Sequence, residues 1–514
     1  MELNELFFRD EYDGEAIPDG IEITGIANDG RRIEAGNLFV CHSGRRFDSH
    51  VLLPALAESG CAAAVVSRDY RGETGGLPVV RVADTRRAEA FAASRFYGSP
   101  GDRLTLIGVT GTNGKTSVST MLRRILCDAG FACALIGTTG YRGSDRNESR
   151  FDGFRVGDAA TMTTPPPLTL YPLLSAMLAE GVTHVVMEVS SQALVQARVA
   201  PLSFSVSVFT NLSPEHLDFH KTMTAYLSAK RILFEKTETA VVNGDSPWSD
   251  LLLDGLSCRR VVCGSYPPCG FCASDVEFMG TEGVSYRLSV GEKSRRVFVP
   301  IPGSFTVQNS LLSLAASNSL GVGVERAVES LSHMPTVAGR MEIVDTGGFP
   351  FRVLIDYAHT EAALRSLLLS VRAFLKPGER LVLLFGCGGD RDAGKRSEMG
   401  KTAEEYADFT IVTSDNSRTE DPKKIILAIL SGMKKREKRR VIVNRERAIR
   451  YAIGSALPGD LILLVGKGHE KYEIDSNGAH EFDEKKIVLS ALKERRTGHT
   501  TEEDEIADRN GFPD

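Results

Sequence analysis

The sequence contains no apolar run of the ~20 residues that a bilayer-spanning helix needs. Its first residues, MELNELFFRDEYDGEA, are acidic where a signal peptide is basic, and they lack a sustained apolar core, so no secretory leader is expected. Charge of one sign is also scarce. The 61 Lys and Arg against 67 Asp and Glu leave a net charge of −6, which gives no drive toward nucleic acid or an anionic membrane. The 9 cysteines are odd in number and scattered, which argues against a disulfide framework. Only Cys258, Cys263, Cys269 and Cys272 cluster, and a zinc ribbon would want two Cys-x-x-Cys knuckles where only CGFC qualifies. Reduced thiols are expected there. What remains is a cytoplasmic globular protein with 42% hydrophobic and 25% charged residues, long enough for two or three domains.

Along the chain, residues 20–95 alternate short β-like runs (LFVCH, AAAVV, LPVVRV) with the helical stretch VLLPALAESG, which predicts a small α/β domain. After a break at YGSPGDR, the apolar run LTLIGV reads as a buried strand, followed by a glycine-rich turn and a helix. VTHVVMEVS and FSVSVFTNL continue the rhythm of a parallel sheet. A third unit begins near VAGRMEIV. Three of its apolar strands stop at polar loops, RLVLLFGCGGDRD, DFTIVTSDNSR and DLILLVGKGHE. In an open parallel sheet ligands sit beyond the carboxyl ends of strands, so these loops are expected to share one crevice. The polar tail from RRTGHTT onward has no periodicity and is expected to fray.

The strongest local signal is GVTGTNGKTS. A strict Walker pattern fails because Val109 occupies the first glycine position. The tighter form Gly111-Thr112-Asn113-Gly114-Lys115-Thr116 keeps every working part. Glycines let backbone N–H groups close on phosphate oxygens, Lys115 neutralises β and γ phosphates, and Thr116 offers a hydroxyl to Mg²⁺. The following helix aims its positive end at the anion. Downstream, MEVSSQAL places Glu188 at the end of a buried strand, where a carboxylate needs a metal or a basic partner. His216 in TNLSPEHLDFH reads by default as a helix-start or core histidine. Lys230 in AYLSAKRILF reads by default as a lysine on the solvated face of an amphipathic helix.

Ten segments occur in an order that resembles the Mur ligases: GVTGTNGKT, TTPPP, EVSSQALVQAR, TNLSPEHLDFH, YLSAKRILF, GRMEIV, DYAHTEAAL, FGCGGDRDAGKR, SDNSRTEDP and GKGHE. The resemblance runs from about residue 20 to 490 and is dense after residue 105. It implies an α/β protein of three domains, with a central P-loop parallel-sheet ATPase domain (101–337) flanked by an N-terminal UDP-substrate-binding domain (1–100) and a C-terminal Rossmann-like amino-acid-binding domain (338–495), ahead of a tail (496–514). It further implies Glu188 and His216 as Mg²⁺ ligands, and Lys230 as a lysine carbamylated by CO₂ that helps hold a second Mg²⁺. Asn309, Arg340 and Asp356 resemble positions that contact ATP. Thr163, Thr164, Ser190, Gln196 and Arg198 resemble those holding UDP-MurNAc-L-Ala-D-Glu. Arg391, Asp415, Asn416, Ser417, Arg418, Gly466 and Glu470 resemble the pocket for a diamino acid.

The implied reaction is ATP-driven amide formation on the D-Glu side-chain carboxylate, through an acyl phosphate, in peptidoglycan precursor synthesis. The protein is expected to act as a monomer, with domain closure joining its loops. An Arg can pair bidentately with a carboxylate, which favours meso-diaminopimelate for Arg418, with L-lysine and L-ornithine as alternatives. Rival readings are a folylpolyglutamate-synthase-like ligase and a non-catalytic P-loop switch. The sequence departs from the family pattern in three places. Ser417 stands where proline is usual, Thr306 where asparagine is usual, and Asp29-Gly30-Arg31 where Asp-Ser-Arg is usual, beside the basic stretch GRRFDSH.

Overall fold

A computed structural model describes residues 1–14, 16–44, 47–143, 151–154 and 162–497. Arg45 and Arg46 of GRRFDSH, and residues 498–514 of the expected tail, lie outside these. The chain divides into two compact units. The first holds residues 1–212, 222–263 and 312–327, and the second 213–221, 264–311 and 328–514.

In the first unit, four short parallel strands lie in chain order: β1 (Gly25–Ala27), β2 (Asn37–Val40), β3 (Ala63–Ser67) and β4 (Val79–Val82). Their side chains alternate between two buried clusters. Leu38, Val40, Ala63 and Val65 face one, and Phe39, Ala64 and Val66 the other, the pattern of a sheet covered on both faces.

The same unit contains the P-loop sheet. Its strands are β5 (Thr105–Thr110), β6 (Cys133–Gly137), β7 (Gly140–Arg142), β8 (His184–Glu188), β9 (Phe204–Phe209), β10 (Thr237–Asn243) and β11 (Arg259–Gly264), in the spatial order β11-β10-β9-β5-β8-β6-β7. All neighbours are parallel except the β6–β7 hairpin. The carboxyl ends of β5, β6, β8, β9 and β10 therefore emerge along one edge.

The second unit begins with an antiparallel meander that sequence periodicity did not reveal: β12 (Phe271–Phe278), β13 (Val284–Val290) and β14 (Lys293–Val299). Its main sheet has the order β15-β16-β20-β17-β18-β19, from β15 (Glu342–Val344), β16 (Arg352–Asp356), β17 (Leu381–Phe385), β18 (Phe409–Val412), β19 (Arg439–Val441) and β20 (Leu461–Val465). Only β15 is antiparallel. In β17 and β20 every residue is buried, and odd and even positions feed opposite cores. Leu381, Leu383, Leu461 and Leu463 enter one, and Val382, Leu384, Ile462 and Leu464 the other. A second unforeseen element, the hairpin β21 (Tyr472–Asp475) and β22 (Gly478–Glu481), follows β20.

Three expectations are corrected. Cys269 and Cys272 are joined as a disulfide rather than held as two thiols, because the turn through CGFC brings their Cα atoms to 5.5 Å. Lys230 is 1% exposed, not solvated, because the helix Met223–Phe234 is packed on the sheet through the face that carries it. The first residues of the expected tail, Arg496 and Thr497, continue the helix Glu484–Thr497.

Candidate active site

In the first unit the site is assembled at the carboxyl ends of the parallel strands. After β5 the chain turns through Gly111 and Gly114 into the helix Lys115–Asp128. Gly111 has φ +151°, and a Cβ there would overlap the Thr210 hydroxyl at the end of β9, so the loop lies too close to its neighbour for any side chain. The loop is tied to that neighbour by Asn211, whose Oδ1 accepts from Asn113 N at 3.0 Å and whose Nδ2 donates to Asn113 O at 3.1 Å.

Two lysines converge on one carbonyl. Lys115 Nζ donates to Gly111 O at 2.9 Å and to Thr112 O at 2.8 Å, and Lys230 Nζ donates to the same Gly111 O at 2.8 Å. Lys230 also lies over the Tyr226 ring at 4.5 Å, and the Tyr226 hydroxyl is 3.3 Å from that of Thr112. A buried amine is costly unless polar groups meet it, and here a backbone carbonyl and an aromatic face do so.

Glu188 closes the other side. It is fully buried, and its carboxylate accepts from Thr116 Oγ1 at 3.1 Å, Thr138 N at 3.0 Å and Thr138 Oγ1 at 3.0 Å. Thr163 Oγ1 lies 3.1 Å from the Thr138 hydroxyl, and Thr164 Oγ1 donates to Glu188 O at 2.9 Å while accepting from Ser190 N. Arg198 extends this group. Its Nη1 donates to Thr164 O at 2.6 Å and its Nη2 to Gln196 Oε1 at 2.7 Å, and burial pulls its pKa below the usual arginine value. Thr116, Thr163, Thr164, Glu188, Ser190, Gln196 and Arg198 thus form one connected polar chain. Oxygen donors beside a P-loop helix suit Mg²⁺, which commonly takes one or two carboxylates together with substrate phosphates. Among the described residues no three His, Cys, Asp or Glu side chains converge.

In the second unit, His216 is the N-cap of a four-residue helix (Leu217–His220) with φ +56°, close to its default reading as a helix-start histidine. Its ring is 3.8 Å from Glu215 Oε1, and His359 Nε2 is 3.4 Å from the same oxygen. Asp356 ends β16. Its carboxylate accepts from Met341 N and Ala358 N, and burial raises its pKa although Arg340 opposes this. Arg340 stacks over the Tyr357 ring at 4.7 Å, and Asn309 is buried on the helix Phe305–Ser319. Thr306 spends its hydroxyl on Pro302 O at 3.1 Å.

The three loops picked out by their strands do meet. Gly389 N donates to Asn416 O at 2.9 Å, and a Cβ on Gly389 would overlap Ser417 O. Asn416 is less a free hand than its sequence position suggests. Its Oδ1 accepts from Lys467 Nζ and Ile474 N, both at 2.9 Å, and its Nδ2 donates to Glu470 Oε2 at 2.8 Å. Arg418, with φ +51°, donates through Nη1 to Gly389 O at 2.7 Å, and among the described residues no hydrogen bond engages its Nη2 or Nε. Arg391 is exposed in the adjoining loop. Asp415 is buried yet held below the usual carboxylate range, because Lys467 and Arg445 outweigh burial. Glu470 is raised by burial, against the pull of Lys467. In the N-terminal sheet, Asp29 is occupied by its own neighbour, Arg31, at 2.8 Å.

Sequence reasoning passed over Thr138, Asn211 and Tyr226, and over Lys467, although that residue stands inside GKGHE. Thr138 follows the apolar run ACALIG, and the strand-end rule used for Glu188 applies equally to it.

Comparison with known proteins agrees with this geometry. Residues 109–317 match the Mur ligase middle domain, and residues 339–468 the Mur ligase, glutamate ligase domain. A UDP-N-acetylmuramoyl-L-alanyl-D-glutamate–2,6-diaminopimelate ligase of Caldanaerobacter subterraneus subsp. tengcongensis is 40% identical over 92% of this chain and 95% of its own length. One of the same name from Gloeobacter violaceus is 38% identical over 97% of this chain and 99% of its own. A solved structure of a ligase so named superposes with a TM-score of 0.65 at 28% identity, covering 93% of this chain and 96% of the other. With the P-loop, the Glu188 chain and the three strand-end loops in their order, the chain belongs to the Mur ligase family.

Proposed function

We propose that the protein is an ATP-dependent, ADP-forming ligase that joins meso-diaminopimelate to the D-Glu side-chain carboxylate of UDP-MurNAc-L-Ala-D-Glu, a step of peptidoglycan precursor synthesis. Identity of 40% across 92% of the chain to a relative of that name supports the acceptor and amino acid. The observation that carries the choice of amino acid is Arg418, whose Nη2 and Nε remain available for a carboxylate while Nη1 is anchored on Gly389 O.

In this reading Gly111, Thr112, Asn113, Gly114, Lys115 and Thr116 hold the ATP phosphates, and Asn309, Arg340 and Asp356 contact the nucleotide. Thr163, Thr164, Ser190, Gln196 and Arg198 hold the muramoyl dipeptide. Arg391, Asp415, Asn416, Ser417, Arg418, Gly466 and Glu470 form the diamino-acid pocket, with domain boundaries near residues 100 and 338. Thr116, Glu188, His216 and carbamylated Lys230 would hold Mg²⁺, which neutralises phosphate charge during transfer. Carbamylation joins the Lys230 amine to CO₂ with release of a proton and leaves a carboxylate in its place.

The D-Glu carboxylate attacks the γ-phosphorus, ADP leaves, and the substrate amine then attacks the acyl carbon with departure of phosphate. Lys115 meets charge on the transferring group, and the Glu188 chain positions the hydroxyls of Thr116 and Thr138. In this reading the enzyme works as a monomer in the cytoplasm. Among the described residues no helix is long and apolar enough to cross a membrane.

The test is phosphate release with ATP, Mg²⁺ and UDP-MurNAc-L-Ala-D-Glu, run separately with meso-diaminopimelate, L-lysine and L-ornithine. Diaminopimelate is expected to turn over fastest. Preference for lysine or ornithine would overturn the role of Arg418 while leaving the ligase. Absence of acceptor-dependent turnover would overturn the ligase.

A further inference from the structure

Arg445 is named by no motif, yet it is among the largest fully buried side chains of the described residues. It opens the helix Arg445–Gly454, which packs against β17 and β20. Its guanidinium makes three hydrogen bonds in one plane's reach. Nη1 donates to Ser414 O at 3.1 Å, Nη2 to Val465 O at 2.8 Å, and Nε to Glu484 Oε1 at 2.8 Å.

The two carbonyls are not arbitrary ones. Ser414 O belongs to the peptide that leads into Asp415, and Val465 O to the peptide that leads into Gly466. A peptide unit is planar, so fixing its oxygen fixes the direction of the next residue's N–H and the start of the loop beyond it. The Val465–Gly466 peptide is held at both ends, since Gly466 N donates to Asp356 O at 3.1 Å. A rigid planar fork spans two carbonyls at a set separation, which a lysine's single ammonium cannot reproduce. The same cation, with Lys467, keeps buried Asp415 ionised.

We propose that Arg445, seated on Glu484, is a positioning residue for the amino-acid site: it couples the Asp415–Arg418 loop to the Gly466–Glu470 loop, so that Arg418 and Glu470 face one ligand at a fixed distance. This rests on reading those loops as the diamino-acid pocket. It predicts that loss of the fork weakens use of the amino acid while acyl-phosphate formation, which precedes amine attack, is spared.

Removing Arg445 alone leaves Glu484 buried without its partner, a change that by itself destabilises a fold. The informative variants are therefore Arg445→Lys, which keeps the charge, and Arg445→Met with Glu484→Leu, which removes both charges. Replacing a buried pair by apolar side chains is often tolerated. In the full-length enzyme, KM is measured for each substrate, and acyl phosphate is trapped with hydroxylamine in the absence of amino acid. In both variants KM for diaminopimelate is expected to rise about ten- to a hundredfold, the scale of a small misplacement in a site. KM for ATP and for the muramoyl dipeptide, and the hydroxamate yield, are expected to stay within about twofold.

An unchanged amino-acid KM in the double variant would overturn the proposal. So would equal losses for all three substrates, or a double variant that no longer melts cooperatively, because either makes the pair a requirement of the fold as a whole. The wild-type control separates this from the broader reading: if the unaltered enzyme uses no diamino acid at all, it is the assignment of the pocket that fails.

Discussion

In the reading proposed above, the nucleotide loop and the amino-acid pocket solve the same problem, holding a charged substrate at the ends of parallel strands, with different materials. Around Gly111, backbone groups and short hydroxyls that follow β5, β6 and β9 directly surround three charged side chains, Lys115, Glu188 and Lys230. Around Arg418 the work is done by long charged side chains from distant segments, Lys467, Glu470 and Arg445, that order one another before any ligand arrives. A site of the first kind concentrates its control in a few charged groups. A site of the second kind spreads its control, so single changes there alter selectivity more than turnover.

The sharpest break of this contrast is at Lys230. Lys230→Ala is expected to lower kcat by about 10³-fold, the scale seen when one preorganised charged group is lost from a transition-state site, and Lys230→Glu to recover part of it. Phosphate release measures both, and full activity in the alanine variant would remove Lys230 from the site. A smaller effect is expected from Arg418→Met. Loss of a charge-assisted hydrogen bond of about 1.5–3 kcal/mol corresponds to roughly a ten- to hundredfold rise in KM for diaminopimelate, with KM for ATP unmoved. If turnover with lysine falls as steeply, Arg418 is not reading a carboxylate.

The smallest effect concerns pH. Burial raises the pKa of Glu470 above the ordinary 4.5, so on acidification it becomes neutral earlier than an exposed glutamate would. A neutral Glu470 cannot pair with a substrate ammonium. KM for the diamino acid should therefore rise a few-fold as pH falls toward that raised value, and Glu470→Gln should abolish this dependence. Asp415, held in the opposite direction, stays ionised through the same range. A wild-type profile identical to that of the glutamine variant would remove Glu470 from contact with the amine.

The legibility of the sequence followed the same division. LTLIGV and its glycine turn announced β5 and the loop because a strand, a turn and a helix are local, and each leaves a short-range pattern. Glu188 was found by its place at a strand end. Lys230 was not, since its helix shows the face that carries it only once packed, and a lysine at a buried position breaks the rule by which faces are read. In the second unit the strand ends were right, but Asn416 was read as a hand for substrate when most of its amide is committed to Lys467, Ile474 and Glu470. Partners separated by 51 to 58 residues in sequence leave no periodic trace. The meander β12–β14 was missed because its strands are half exposed with weak alternation, and the hairpin β21–β22 because its strands are short and partly exposed.

That hairpin has a bearing on how the pocket is inherited as a module. The segment that matches the family's glutamate ligase domain ends at residue 468. Ile474, six residues later on β21, gives its N–H to Asn416 Oδ1 and takes Arg418 N on its carbonyl at 3.0 Å. In the reading proposed above, the matched core supplies the Asp415–Arg418 loop, while Glu470 and the strand that carries Ile474 lie beyond it and set the angle at which that loop is presented. An exchange of specificity between relatives that transplants only the Asp-Asn-Ser-Arg loop would move the letters without their frame. Carrying β21 and β22 along with the loop moves both.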